Sequence, residues 1–157
     1  MTEQHQQLNI ISHNIGGLTP VKATELKLFL DNNAHINILC IQESKRGHKQ
    51  VNIPGFTVNK KLNEDNPLAG GLLTYFKQEI QYEEIPVKNY KEENKTTIEL
   101  QMFKVHTKRD VILVVNVYSR NSNENGLDHI SEQIKKTRTD KVIILKIFSR
   151  HQDHQRK

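Results

Sequence analysis

The chain has 157 residues, a length that suits one domain, with 35% hydrophobic residues, 6% aromatics, no Trp and a mean hydropathy of −0.68. One Cys excludes an intrachain disulfide framework and a Cys-cluster zinc site, and seven Gly with four Pro exclude collagen-like and low-complexity classes. The net charge of +5 is concentrated in residues 135–157, where eight Lys and Arg meet only Asp140 and Asp153, so it reads more plainly as a solvated basic tail than as a DNA-binding groove.

Met1 to Gln7 is polar and lacks the apolar stretch of a secretory signal, and no apolar run approaches the about 20 residues needed to span a bilayer. A soluble intracellular protein with no membrane contact is expected. Leu8 to Ser12 is short and β-prone, and it stops at a polar loop that contains Asn14 and runs into Gly16-Gly17. Thr19-Pro20 has the form of a helix N-cap followed by Pro at the first helical position. Val21, Leu26, Phe29 and Leu30 then recur at helical spacing, which predicts an amphipathic helix over 20–33. Ile36 to Ile41 is nearly all apolar, as in a central strand covered on both faces, and Gln42-Glu43 closes it. Strand, helix and strand within about 36 residues make a crossover unit.

Further on, short strands are predicted at 56–60, after the turn Ile53-Pro54-Gly55, and at 70–76, entered through Gly70-Gly71. Three more follow at 79–86, 96–105 and 111–118. Residues 126–137 read as a weaker helix with Leu127, Ile130 and Ile134 on one face, and Val142 to Leu145 as one more buried strand. No repeat and no linker divides the chain, so residues 1–157 read as one mixed α+β domain. A four-layered α/β/β/α sandwich fits the alternation.

The chemistry of the sequence lies at strand ends. If the first two strands are parallel neighbours, Asn14 and Gln42-Glu43 emerge together at the carboxyl edge of the sheet, where open α/β sheets bind ligands. A carboxylate beside an amide oxygen is a hard-oxygen pair suited to Mg²⁺. On spacing alone the plainer account makes Asn14 a turn residue and Glu43 a solvated strand end. Tyr118 ends the run Val111 to Val117; its hydroxyl could reach a phosphate oxygen, or its ring could simply pack at an edge with the hydroxyl wet. Gly70-Gly71 lacks the spacing and the Lys of a P-loop and reads as a place where a strand passes close to other backbone. His151 and His154 in the basic tail lack the partners of a zinc site, and Cys40 reads as a small core hydrophobe.

Five segments taken together resemble the endonuclease/exonuclease/phosphatase superfamily, and within it the apurinic-endonuclease-like domain of non-LTR retrotransposons. They are Leu8 to Leu18, Ile38 to Ser44, Ile53 to Phe56, Ala69 to Leu72, and Val115 to Tyr118. The match is clear over 8–120 and decays over 121–151, before and within the basic tail at 135–157. The resemblance implies a two-sheet sandwich flanked by helices and hydrolysis of DNA phosphodiesters with Mg²⁺ or Mn²⁺. It implies that Asn14 and Glu43 hold the metal and its water shell, while Tyr118 positions the scissile phosphate. It also makes a reverse transcriptase module of a parent polyprotein a possible partner.

The sequence departs from the pattern further on. The family signature Gly-Asp-Phe-Asn (or Leu for Phe) follows a buried strand, and its Asp orients or deprotonates the attacking water. Here Val142 to Leu145 is followed by Lys146-Ile147-Phe148-Ser149-Arg150-His151, with no carboxylate before Asp153. The later Asp and the final Ser-Asp-His segment are also missing. A sandwich truncated at its C-terminus, with an impaired or inactive site, is therefore expected, and the strand at 142–145 is expected to leave an exposed, aggregation-prone edge. Two alternatives stay open: a non-catalytic nucleic-acid-binding remnant that uses the basic tail, and the same fold acting on phospholipid or inositol-phosphate esters.

Overall fold

A computed structural model describes residues 7–45, 51–120 and 124–148. The Ser149-Arg150-His151 segment, the His151/His154 pair and the last basic residues lie outside the described residues.

The opening crossover unit forms as its sequence predicts. Strand β1 (Ile10–Asn14) is followed by helix α1 (Pro20–Asn32) and strand β2 (Ile38–Gln42), and β1 pairs with β2 in parallel. Thr19 caps α1 by accepting the Lys22 N–H at 3.2 Å, and Pro20 occupies the first turn, where no N–H is needed. The buried stripe of α1 differs from the expected one. Ala23, Leu26 and Leu30 face the sheet, whereas Val21 and Phe29 are 68% and 43% exposed. At 100° per residue the three buried positions cluster on one line, Phe29 falls about a quarter-turn off it, and Val21 lies nearly opposite.

Strands β3 (Phe56–Lys61) and β4 (Leu72–Lys77) complete the first sheet in the order β1-β2-β4-β3. The second sheet has the order β5-β7-β8-β9, built from β5 (Gln81–Ile85), β7 (Lys95–His106), β8 (Val111–Ser119) and β9 (Lys141–Phe148). A three-residue strand that the sequence pattern does not reveal, β6 (Tyr90–Glu92), also pairs with β7. It is closed by a two-residue turn at Glu93-Asn94, both with positive φ, the geometry that suits a tight hairpin. Helix α2 (Glu124–Lys136) connects β8 to β9, which run parallel.

Three apolar clusters give the layer order. Leu26 and Leu30 of α1 pack with Leu39, Ile41, Leu73 and Tyr75 on the outer face of the first sheet. Ile38, Cys40, Phe76, Phe103 and Val114 fill the space between the sheets. Ile130 of α2 packs with Leu100, Met102, Leu113 and Val115 on the outer face of the second sheet. The molecule is thus an α/β/β/α sandwich. Cys40 is fully buried and burial pushes its thiol up to about 12, as befits a core side chain.

Two further expectations are corrected. Leu127 is 41% exposed, because α2 docks through Gly126 and Ile130, with Ile134 half-buried, and Leu127 lies on the flank of that face. Strand β9 is not buried: it is an outer strand of its sheet, and Ile143 and Ile144 are 37% and 46% exposed. Within the basic stretch, Lys135 and Lys136 form the last turn of α2, while Lys141 and Lys146 belong to β9. Among the described residues, no helix is long and apolar enough to cross a membrane.

Candidate active site

Side chains alternate along a strand, so every second residue of β2, β4, β7 and β8 points between the sheets. By register these residues form three rows. Ile38, Phe76, Phe103 and Val114 make an apolar row, with Phe76 and Phe103 edge to face at 4.9 Å. Cys40, Thr74, Gln101 and Asn116 make a mostly polar one. The third holds Gln42, Leu72, Glu99 and Tyr118, so polarity rises towards one end of the sandwich.

The polar side chains of the middle row, with Gln42 of the third, form a buried hydrogen-bond network that ties the sheets together. Gln42 Nε2 donates to Asn116 Oδ1 at 2.7 Å and to Ser12 Oγ at 3.0 Å. Asn116 Nδ2 donates to Thr74 Oγ1 at 3.0 Å, and Thr74 Oγ1 donates to Gln101 Oε1 at 2.7 Å. Such a network costs little only when its members are satisfied, and it fixes one alignment of the two sheets. Gln42 Oε1 is the exception, a buried acceptor without a partner, one residue before Glu43.

Of the three site residues expected from the sequence, Glu43 and Tyr118 meet at the polar end, and Asn14 lies at the same edge of the first sheet. Parallel pairing sets Asn14 opposite Gln42, so Asn14 and Glu43 leave the first sheet at the same carboxyl edge. Asn14 Oδ1 accepts the Gly16 N–H at 3.2 Å, so Asn14 does act as a turn residue; an amide oxygen has a second lone pair. Tyr118 arrives from the other sheet. Its ring is buried, and its hydroxyl donates to Glu43 Oε1 across the gap between the sheets. The tyrosine is therefore neither wet nor merely an edge aromatic. Lys45 Nζ lies 3.9 Å from Glu43 Oε2 and is about half exposed.

One member of this end is missed by the sequence reading. Glu99 is 1% exposed, sits opposite Tyr118 in the β7–β8 pairing, and accepts the Gly71 N–H at 2.6 Å. Burial pushes its carboxyl up to about 7; the Gly71 bond and Arg120 oppose that shift, and Glu43 adds to it. In the sequence Glu99 is one polar letter in an alternating strand, and only its inward parity distinguishes it from a solvated residue. Among the described residues, no group of three or more His, Cys, Asp or Glu forms a metal cage. A groove of about 490 Å³ also opens beside Asn14, between β1 and α1, with Ile11, Leu26 and Phe29 in its wall. It lies on the outer face of the first sheet, away from the row of Glu99 and Tyr118.

Comparison with known proteins now bears on this geometry. The sequence matches no family profile and no curated protein sequence. Solved structures do match. The endonuclease domain of TRAS1, a telomere-specific non-LTR retrotransposon, superposes with a TM-score of 0.62 at 15% identity, over 89% of this chain and 58% of that one. The fold is that of the endonuclease/exonuclease/phosphatase proteins. An endonuclease/exonuclease/phosphatase from Bacteroides vulgatus gives a TM-score of 0.60 at 13% identity, over 90% of this chain and 65% of that one. The Xenopus laevis APE2 catalytic domain gives 0.56 at 18% identity, over 87% and 57%. The chain thus spans somewhat under two thirds of the length of each of these endonuclease/exonuclease/phosphatase-fold structures.

Proposed function

We propose that the end of the sandwich carrying Asn14, Glu43 and Tyr118 binds a divalent cation and a DNA phosphodiester, and that its turnover in this chain is impaired. The observation that carries this reading is the Tyr118–Glu43 hydrogen bond, which joins an acidic group just past the end of β2 and a hydroxyl donor on β8, from different sheets, at one point. The donor set fits Mg²⁺ or Mn²⁺. A half-buried carboxylate beside an amide oxygen, on a water-accessible edge, is the arrangement in which such an ion keeps several of its waters. Glu43 would hold it through its carboxylate and Asn14 through Oδ1. When bound, the ion supplies neutralisation of charge at the phosphate. The Tyr118 hydroxyl turns from Glu43 to orient a phosphate oxygen, a stabilisation that depends on preorganised donors. Lys45 adds positive charge at the rim, where a polyanion approaches.

The impairment rests on β9. Its register sets Ile147 beside Tyr118, so the strand that ends next to the site brings Lys146, Ile147 and Phe148 there and no carboxylate, whereas the resemblance implies an Asp after this strand. Loss of a general base costs about 10²–10⁴-fold in rate. A supercoiled-plasmid nicking assay in Mg²⁺ tests the reading. The native protein is expected to nick no faster than Glu43→Ala; metal-dependent nicking that Glu43→Ala abolishes would contradict the impairment. A duplex-binding titration tests the substrate class, with affinity expected to fall steeply as salt rises; salt-insensitive or absent binding would remove DNA.

A further inference from the structure

We propose that Glu99 is a positioning residue that fixes the candidate metal ligand Glu43 through the Gly70-Gly71 turn; the proposal rests on the metal-site reading above. Glu43 has φ +54° and Lys45 has φ +54°, a left-handed backbone that costs a non-Gly residue of order 1 kcal/mol and persists only when its surroundings impose it. Two loops impose it here. On one side, Gly17 N–H donates to the Glu43 carbonyl at 2.7 Å and Leu18 N–H to the Ser44 carbonyl at 2.8 Å. On the other, Ser44 N–H donates to the Gly71 carbonyl at 3.1 Å and Lys45 N–H to the Gly70 carbonyl at 2.8 Å.

The second of these loops is held by Glu99. Gly71 gives its own N–H to Glu99 Oε1, and both glycines have positive φ, +68° and +94°. There is no room for a side chain at either. A Cβ on Gly70 would overlap the Glu99 carboxylate, and one on Gly71 would come 2.6 Å from Ser44 Oγ. The contacts therefore run in a continuous line: Glu99 of the second sheet, the Gly70-Gly71 turn, the backbone of Ser44 and Lys45, and Glu43 between them and the β1–α1 loop. Glu99 is assigned the positioning role and not the ligand's because it is 1% exposed, away from the water that Mg²⁺ or Mn²⁺ retains, whereas Glu43 is half-buried at the edge.

Two conservative variants separate reach from charge. Glu99→Gln keeps the acceptor oxygen and loses the charge, whereas Glu99→Asp keeps the charge and falls one methylene short of Gly71. Amide hydrogen exchange by NMR on the metal-free protein is read at Ser44 and Lys45, alongside Mn²⁺ affinity by electron paramagnetic resonance. In Glu99→Asp, exchange at Ser44 and Lys45 is expected to quicken about tenfold while Met102 to Val115 keep their protection. Mn²⁺ affinity is expected to fall about tenfold or more, as for partners that orient a ligand, and to fall further than in Glu99→Gln. In Glu99→Gln the exchange is expected to stay within about twofold of native. Unchanged exchange in Glu99→Asp, or Mn²⁺ binding lost in Glu99→Gln and kept in Glu99→Asp, would overturn the proposal. If native protein and Glu43→Gln bind Mn²⁺ equally, the metal reading fails, while the exchange data still decide whether Glu99 holds this backbone.

Discussion

Glu99 is the residue at which the physics of the site is most exposed to measurement. Its carboxyl moves from an ordinary value of 4.5 to about 7 because folding removes it from water, so the folded protein binds its proton more tightly than the unfolded chain does. Below about pH 4.5 both states are protonated and burial carries no ionic penalty. Between there and about pH 7 the penalty grows, and above pH 7 it is complete, at about 3 kcal/mol as an upper bound. Denaturant titrations should therefore find metal-free Glu99→Gln more stable than native protein at pH 8 and equal to it at pH 4. A native stability curve parallel to that of the variant across this range would contradict the assignment. Glu43 and Tyr118 each end an apolar run, but spacing alone leaves them as a solvated strand end and an edge aromatic; the resemblance is what singles them out. Glu99 is not legible in the sequence, because an inward carboxylate in an alternating strand has the same spelling as an outward one; only the pairing of β7 with β8 gives its direction.

At the scale of elements, Gly70-Gly71 carries the sharpest expectation. Gly71→Ala must place a Cβ 2.6 Å from Ser44 Oγ on a backbone at φ +94°, where an L residue is strained. It should cost about 2–3 kcal/mol in denaturant unfolding, against about 1 kcal/mol for Gly16→Ser, where nothing lies within 4 Å of a Cβ and only the strained φ of +59° remains. Equal losses in the two would mean that backbone conformation alone, without the close approach, sets the requirement for glycine. The strands and both helices follow from local pattern: caps at Thr19-Pro20, an apolar block at Ile38 to Ile41, alternation in β7. What local pattern misses has physical reasons. β6 is three residues, too short for a period, and it exists because β7 offers it a partner. The faces of α1 and α2 are set by the sheets they cover, which is why Val21 and Leu127 are exposed.

For the whole molecule, the two sheets are aligned by the Gln42–Asn116–Thr74–Gln101 network and end in the polar row of Glu99 and Tyr118. One outer strand, β9, leaves Ile143 and Ile144 partly in water. Unpaired strand edges with apolar side chains invite edge-to-edge association. Ile144→Lys should therefore suppress concentration-dependent association in sedimentation velocity without lowering the unfolding midpoint; unchanged association would clear β9 of that role. One end of this sandwich is proposed to be a divalent-cation site built on Glu43. Paramagnetic broadening of amide NMR signals by substoichiometric Mn²⁺ tests it directly. Asn14 to Gly17, Gln42 to Lys45 and Tyr118 are expected to broaden first, and Glu43→Gln to abolish the effect. Broadening centred elsewhere, or the same pattern in Glu43→Gln, would contradict that proposal.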